Sequence, residues 1–176
     1  MEPPALATAD VSDAAGGDIA MDARIRPMWK GARLVGSAFT VRTPAGQHRA
    51  VTRALESAGP GDVIVIDGAG DVARALWGDR MSLLAQERGI AGVGVDGAVR
   101  DVALIEALGF PVFAVTGVPT APRTELEGDV DLPIVCADRK VEPGDLVVGD
   151  ADGVVVLPRA SADDVLRRLT ADAPSR

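Results

Sequence analysis

Two loops of the sequence carry the side chains best suited to chemistry: Trp77-Gly78-Asp79, and Asp96-Gly-Ala-Val-Arg100-Asp101. An arginine next to an aspartate offers a cation for developing negative charge. The aspartate is also a hard oxygen ligand for Mg²⁺ or Mn²⁺, ions that use few protein carboxylates and keep several waters. Asp79 stands where a helix is expected to begin, so the amides that follow it point outward and can hold an anion such as a carboxylate. The same residues have a plainer reading, with Asp79 and Asp101 as helix caps and Arg100 as their surface ion-pair partner. Spacing alone leaves both open.

A third loop, Gly68-Ala-Gly70-Asp-Val-Ala73, follows an apolar run and matches part of the glycine pattern of dinucleotide binding. It is a weak match. The acid expected about 20 residues on to bind a ribose is missing, Asp96 comes 26 residues after Gly70, and Val72-Ala-Arg-Ala-Leu76 is a poor glycine-to-helix entry. A tight connection is the expectation there.

The elements that must position these loops follow from periodicity and punctuation. Asp62 to Asp67 is a continuous apolar strand of the doubly buried kind, and Ile90 to Val95 is another, ending at Asp96-Gly97. Between them Gly78 to Arg88 reads as a helix with Met81, Leu84 and Ala85 on one face. Asp101 to Leu108 is a short helix and Pro111 to Val115 a strand. Arg100 and Asp101 therefore fall at the carboxyl end of a buried strand, where open α/β sheets put ligands. Outside this centre, Ala9 to Ala14 opens a helix, Leu34 to Thr43 is a strand, and Arg49 to Ala58 is a helix closed by Gly59-Pro60-Gly61. Strand runs follow at Pro133 to Ala137, Asp145 to Val148 and Gly153 to Leu157, and Ser161-Ala-Asp-Asp164 opens a last helix.

Composition removes several mechanisms. The chain has 176 residues, 47% of them apolar, which fits one domain with one core. Its 26 acidic and 18 basic side chains give a net charge of −8, the wrong sign for neutralising nucleic-acid phosphates or an anionic membrane. One histidine, His48, cannot build a multi-histidine zinc site, and one cysteine, Cys136, excludes an intrachain disulfide. Cys136 lies in the apolar run Leu132 to Ala137, so a buried structural thiol is expected. There is no tyrosine, and aromatics are 3%, which leaves few stacking platforms for bases. Met1-Glu-Pro-Pro4 does not open a signal peptide and no run approaches 18 apolar residues. A cytoplasmic protein is the expectation.

The segments Ala75-Leu-Trp-Gly-Asp79, Gly89-Ile-Ala-Gly-Val-Gly-Val-Asp-Gly-Ala-Val-Arg-Asp101 and Gly109-Phe-Pro-Val-Phe113 resemble the RraA-like family. That family holds 4-hydroxy-4-methyl-2-oxoglutarate / 4-carboxy-4-hydroxy-2-oxoadipate aldolases and regulators of ribonuclease E activity. The likeness extends from Thr8-Ala-Asp-Val-Ser-Asp-Ala14 through Pro60-Gly-Asp-Val63 to Pro143-Gly-Asp145 and Gly149-Asp-Ala-Asp-Gly-Val154. Catalytic members share an Asp, 20 intervening residues, Arg-Asp, two more residues and an acid. Asp79, residues 80–99 and Arg100-Asp101 fit, whereas Leu104 stands where the acid is expected. Regulator members lack part of the Arg-Asp pattern, so its presence favours catalysis.

The resemblance implies a single α/β domain over residues 1–176 of the swivelling β/β/α type, with a central sheet flanked by helices. It further implies a homotrimer or homohexamer with sites between subunits, and a divalent-metal lyase acting on small 2-oxo acids. Asp101 would ligate Mg²⁺ or Mn²⁺, and Arg100 would stabilise the enolate of pyruvate. Amides in the turn Gly78, Asp79, Arg80, Met81 would hold the pyruvyl carboxylate, and Asp79 would position a water that moves the proton. Oxaloacetate decarboxylation is the expected side activity. The lysines, Lys30 and Lys140, lie in no loop suited to a Schiff base. A non-catalytic regulator binding a ribonuclease is the alternative. Elsewhere, Asp152-Gly153 reads as a hairpin turn, and Trp77 reads as a wall or core residue. Arg123, Glu125 and Glu127 either reach a neighbouring subunit or are solvated. His48 begins a helix where the family more often has a Gly-Asp-Asn-like turn, and its role is open.

Overall fold

The computed structural model describes residues 6–171, so the Met1–Pro4 opening lies outside them. In chain order the elements are α1 (Thr8–Ala15), β1 (Arg26–Pro27), β2 (Leu34–Arg42), α2 (Arg49–Ser57), β3 (Asp62–Trp77), α3 (Asp79–Glu87), β4 (Gly92–Val99) and α4 (Val102–Leu108). Then come β5 (Val112–Gly117), β6 (Asp129–Val130), β7 (Ile134–Cys136), β8 (Arg139–Val141), β9 (Leu146–Asp150), β10 (Gly153–Leu157) and α5 (Arg159–Ala171).

The large sheet runs β1-β5-β4-β3-β2-β9-β10, with β6 also on β2. Strands β2, β3, β4 and β5 are parallel, and the outer ones are antiparallel. Parallel strands need crossovers and two covered faces, and the sequence supplies both. Ile64, Ile66, Val93, Val95 and Val112 face Ala54, Leu55, Ala85 and Ile105 of α2, α3 and α4. The alternate residues Val63, Val65 and Phe113 face the β7–β8 hairpin through Ile134, Cys136 and Val141. Hairpin, sheet and helices thus form β/β/α layers, as expected. Helices α1 and α5 pack on Val148, Val155 and Leu157, which alternate with the hairpin-facing Val147, Val154 and Val156.

Two expectations change. The Gly68–Asp71 stretch is no turn between separate segments, because β3 continues to Trp77. Its pairing with β4 slips at Asp67/Asp71, Asp71/Ala75 and Ala75/Trp77, with Ala69 and Gly70 at φ of 60° and 66°. Excess residues bulge outward while the strand stays paired, and no helix follows Gly70, so the dinucleotide reading falls. The short strands β1, β6 and β8 carry too few residues for periodicity to mark them, and α5 begins at Arg159, two residues before Ser161. The hairpin turn before Gly153 is present, with Gly153 paired to Asp150 and the Asp152 amide donating to Asp150 Oδ1 at 3.0 Å. Cys136 is buried and donates to the Ile66 carbonyl at 3.4 Å, and its surroundings push the thiol pKa up, burial first and the Asp96 charge next. No helix among the described residues is long and apolar enough to cross a membrane.

Candidate active site

Strands β3 and β4 end side by side. Trp77 pairs with Val99 in register, and the Arg100 amide donates to the Trp77 carbonyl at 2.9 Å. The chain leaves the sheet at Gly78 and comes back to the same edge at Arg100. Trp77 is 2% exposed and stacks on Phe110 with ring centroids 6.3 Å apart, so it is a core residue, as expected. Its Nε1–H donates to Ser82 Oγ at 2.8 Å, and the Ser82 hydroxyl donates to the Gly78 carbonyl at 3.0 Å. This buried relay fixes the turn at Gly78 from beneath.

Gly78 is the N-cap of α3, and the first intrahelical bond runs from the Ser82 amide to the Gly78 carbonyl at 3.0 Å. The amides of Asp79, Arg80 and Met81 are left without intrahelical acceptors. Asp79 is the first helical residue and not a cap, so half of the plainer reading is excluded. A Cβ on Gly78 would lie 3.0 Å from Asp101 Oδ2 and 3.5 Å from Arg100 Nε. Glycine is what allows the Arg-Asp pair to close over this turn.

Asp101 precedes α4 at φ 58° and ψ 35°, and its side chain makes no capping bond. A left-handed non-glycine residue costs of order 1 kcal/mol. Its visible partner is Arg100, at 3.4 Å from Nε to Oδ2, with side chains 40% and 35% exposed. The expected ion pair forms, but at that exposure it contributes at most about 1 kcal/mol. The position is therefore not explained by stability. Beside the pair an open cleft of about 420 Å³ is lined by Arg100, Asp101, Val102, Gly117, Val118 and Pro119.

The structure thus brings Gly78, Arg100 and Asp101 together, with half-buried Asp79 in the adjoining turn. Arg80 is exposed and contributes only its amide to the arrangement. Met81 leads to a residue the sequence left without a role: His48 Nε2 is 2.9 Å from Met81 Sδ. Burial and then the Arg100 charge lower the His48 pKa from 6.5, against a smaller opposite effect of the Leu76 carbonyl. Glu125 and Glu127 are held by their own chain. Gln47 donates to Glu125 at 3.3 Å, and Arg49 donates to Glu127 at 2.7 Å.

A deeper acidic network lies behind the site. Arg24 donates to both oxygens of Asp96, at 3.0 and 3.1 Å, and the Ala137 amide donates to Asp96 Oδ2 at 3.0 Å. It locks the middle of β4 to the hairpin layer. Asp67, on the neighbouring strand, has its pKa raised, mainly by burial.

A mixed α/β scaffold with an arginine-aspartate pair at the carboxyl end of adjacent parallel strands defines an α/β protein of the β/β/α kind with that pair where such sheets place ligands. The chain belongs to the RraA-like (aldolase/RraA) family, whose model matches residues 8–156. A Halalkalibacterium halodurans protein provisionally named a 4-hydroxy-4-methyl-2-oxoglutarate aldolase is 41% identical over 163 residues, covering 93% of this chain and 78% of its own. The 4-hydroxy-4-methyl-2-oxoglutarate aldolase of Thermus thermophilus is 35% identical over 127 residues, 72% of this chain and 77% of its own. Among solved structures, the RNA-processing inhibitor RraA from Thermus thermophilus superposes with a TM-score of 0.80 at 32% identity, covering 87% of this chain and 93% of that one.

Proposed function

We propose that this protein is a divalent-metal-dependent lyase that cleaves 4-hydroxy-2-oxo acids of the 4-hydroxy-4-methyl-2-oxoglutarate type to pyruvate and decarboxylates oxaloacetate. The observation that carries the reading is the Arg100-Asp101 pair beside Gly78, held where stability gives no reason for it.

The donor set fits Mg²⁺ or Mn²⁺. Among the described residues no three His, Cys, Asp or Glu side chains cluster as a ligand cage, and Asp101 offers one hard oxygen donor, as suits ions that keep most of their waters. When bound, such an ion supplies Lewis acidity that favours negative charge on the substrate's 2-oxo oxygen. The chain does the rest. Amides of Asp79, Arg80 and Met81 bind the pyruvyl carboxylate, and Arg100 stabilises the enolate oxygen as the C3–C4 bond breaks and its electron pair moves into the pyruvyl fragment. Asp79 moves the proton, through water, from the 4-hydroxyl to C3. With oxaloacetate the same bond breaks and carbon dioxide leaves. The cleft at Arg100 is open on one side, and assembly into trimers or pairs of trimers would close it.

A second reading, a non-catalytic regulator of a ribonuclease, is favoured by the likeness to the RNA-processing inhibitor and by Leu104, 55% exposed where a family acid is expected. Pyruvate release from oxaloacetate and from 4-hydroxy-4-methyl-2-oxoglutarate, with Mg²⁺ or chelator, separates the two. Activity lost on chelation and in Asp101→Ala supports the lyase. No pyruvate from either substrate with metal present refutes it.

A further inference from the structure

His48 is the chain's one histidine, and nothing in the lyase reading uses it. It stands at the N-cap of α2, half-buried, with Nε2 2.9 Å from Met81 Sδ in the first turn of α3. On its other side Nδ1 lies 3.2 Å from Thr52 Oγ1, one turn along α2. The Thr52 hydroxyl can donate to Nδ1 or, at 3.3 Å, to the His48 carbonyl, and when it donates to Nδ1 the proton of the neutral ring sits on Nε2. A thioether is a weak acceptor and an imidazole N–H a good donor. In that tautomer the ring meets the first turn of α3 through a donor that an oxygen ligand would satisfy better than the Met81 thioether does, in competition with the Leu76 carbonyl. Arg100 is the charged group that acts on the imidazole, and together with burial it favours the uncharged ring, so His48 offers a donor and not a second cation.

We propose that His48 is a specificity residue of this site: its Nε2–H takes the distal carboxylate or hydroxyl of a 2-oxo acid, selecting substrates with an oxygen group beyond C3. The proposal rests on the lyase reading for substrate orientation. With the pyruvyl end on the amides of residues 79–81 and on Arg100, the rest of the substrate meets either the wall of Met81 and His48 or a cleft of Val102, Gly117, Val118 and Pro119. Apart from Arg100, already assigned to the enolate, the second surface has no donor side chain. The first adds one at His48.

A single histidine makes the test clean. Imidazole NMR of the full chain with Mg²⁺, any affinity tag removed, is recorded during titration with pyruvate and with 2-oxoglutarate, which adds a distal carboxylate. We expect 2-oxoglutarate to shift the His48 resonances strongly and pyruvate to leave them nearly in place. In calorimetry, His48→Ala weakens 2-oxoglutarate binding about 10-fold or more while pyruvate affinity stays within about 3-fold, and His48→Gln, which keeps an N–H, recovers part of the loss. Equal weakening of both ligands, or unchanged 2-oxoglutarate affinity in a folded variant, overturns the proposal. If His48→Ala does not fold, the wild-type spectra and His48→Gln decide. A wild type that binds both ligands but releases no pyruvate from any substrate refutes the lyase reading alone, whereas one that binds neither overturns both.

Discussion

Replacing Gly78 by alanine tests the site with one methyl group. The backbone there is extended, at φ −159°, so alanine adopts it without strain and the effect must come from contact. The new Cβ would stand 3.0 Å from Asp101 Oδ2 and 3.3 Å from Arg100 Cγ. Ordinary van der Waals contact begins near 3.4 Å, so the carboxylate must retreat by about 0.4 Å, close to the roughly 0.5 Å tolerance of a catalytic arrangement. Asp101 Oδ2 ends a partly exposed side chain that can move, and Arg100 Cγ needs to give only about 0.1 Å, so the fold can absorb the change. Since a 1 Å misplacement costs about 100-fold, we expect kcat/KM for oxaloacetate to fall roughly 10-fold, about 1.4 kcal/mol of transition-state stabilisation. Weaker Mg²⁺ dependence should accompany it, with a melting temperature within a few degrees of wild type. Gly94→Ala is the control, because a Cβ there meets nothing within 4 Å. Wild-type kinetics in a folded Gly78→Ala protein would refute the claim that Asp101 and Arg100 act from their present positions. A large loss of melting temperature would show instead that Gly78 is a packing residue.

Four further outcomes follow from other contacts. Asp101→Asn removes a charge from an exposed left-handed position that asparagine also tolerates, so it should keep its thermal stability, show none of the melting-temperature rise with Mg²⁺ that the lyase reading expects of the wild type, and lose at least 10-fold in turnover. Leu104→Glu places a carboxylate on the exposed face of α4 three residues from Asp101, and should tighten Mg²⁺ dependence of turnover at no cost in urea unfolding. The His48 pKa is lowered from 6.5 in the fold, so below about pH 6.5 the unfolded chain binds more protons and stability declines as pH falls toward the folded value. Arg100→Gln should move the His48 NMR titration upward and shrink that decline. Asp150 is pushed up by burial, yet the Thr8 amide and hydroxyl and the Asp152 amide outweigh this and lower its pKa from 3.8. Its contribution is present above that value and lost as pH falls through the folded one. Thr8→Ala should cost about 1.5–3 kcal/mol in urea unfolding and shift acid unfolding to higher pH.

The central elements were legible because each has an unambiguous local signal. Asp62 to Ile66 and Gly92 to Val95 are apolar on both faces, as strands covered by helices and a hairpin must be, and Gly59-Pro60-Gly61 marks the end of α2. The continuation of β3 was not legible, since Gly68-Ala-Gly70-Asp71 has the composition of a turn. What holds it in the sheet is pairing with Gly97, Ala98 and Val99, a nonlocal fact. The site divides in the same way. Asp79, Arg100 and Asp101 are legible as candidates from residue type, order and family likeness, and backbone register brings their loops to one edge of the sheet. The contact of His48 with Met81 depends on how α2 packs against α3, and no spacing along the chain encodes it. The one available signal was a lone imidazole at a helix start in a chain otherwise without histidine.

The 20 residues between Asp79 and Arg100 can be read as a length. Helix α3 has 9 residues and, at 1.5 Å each, carries the chain about 13 Å down the sheet. Residues 88–91 turn the chain around, with the Arg88 and Ile90 amides donating back to the Ala85 carbonyl and Gly89 at φ 74°. Strand β4, of 8 residues, then runs back beside β3. The chain comes back to the edge it left, one strand over, and the Arg100 amide bonds to the Trp77 carbonyl. Removing or adding a residue in α3 would turn its buried face by 100°, and one in β4 would exchange the two faces of that strand. The 20-residue spacing is thus a condition for bringing Gly78 and Arg100 to one edge of the sheet.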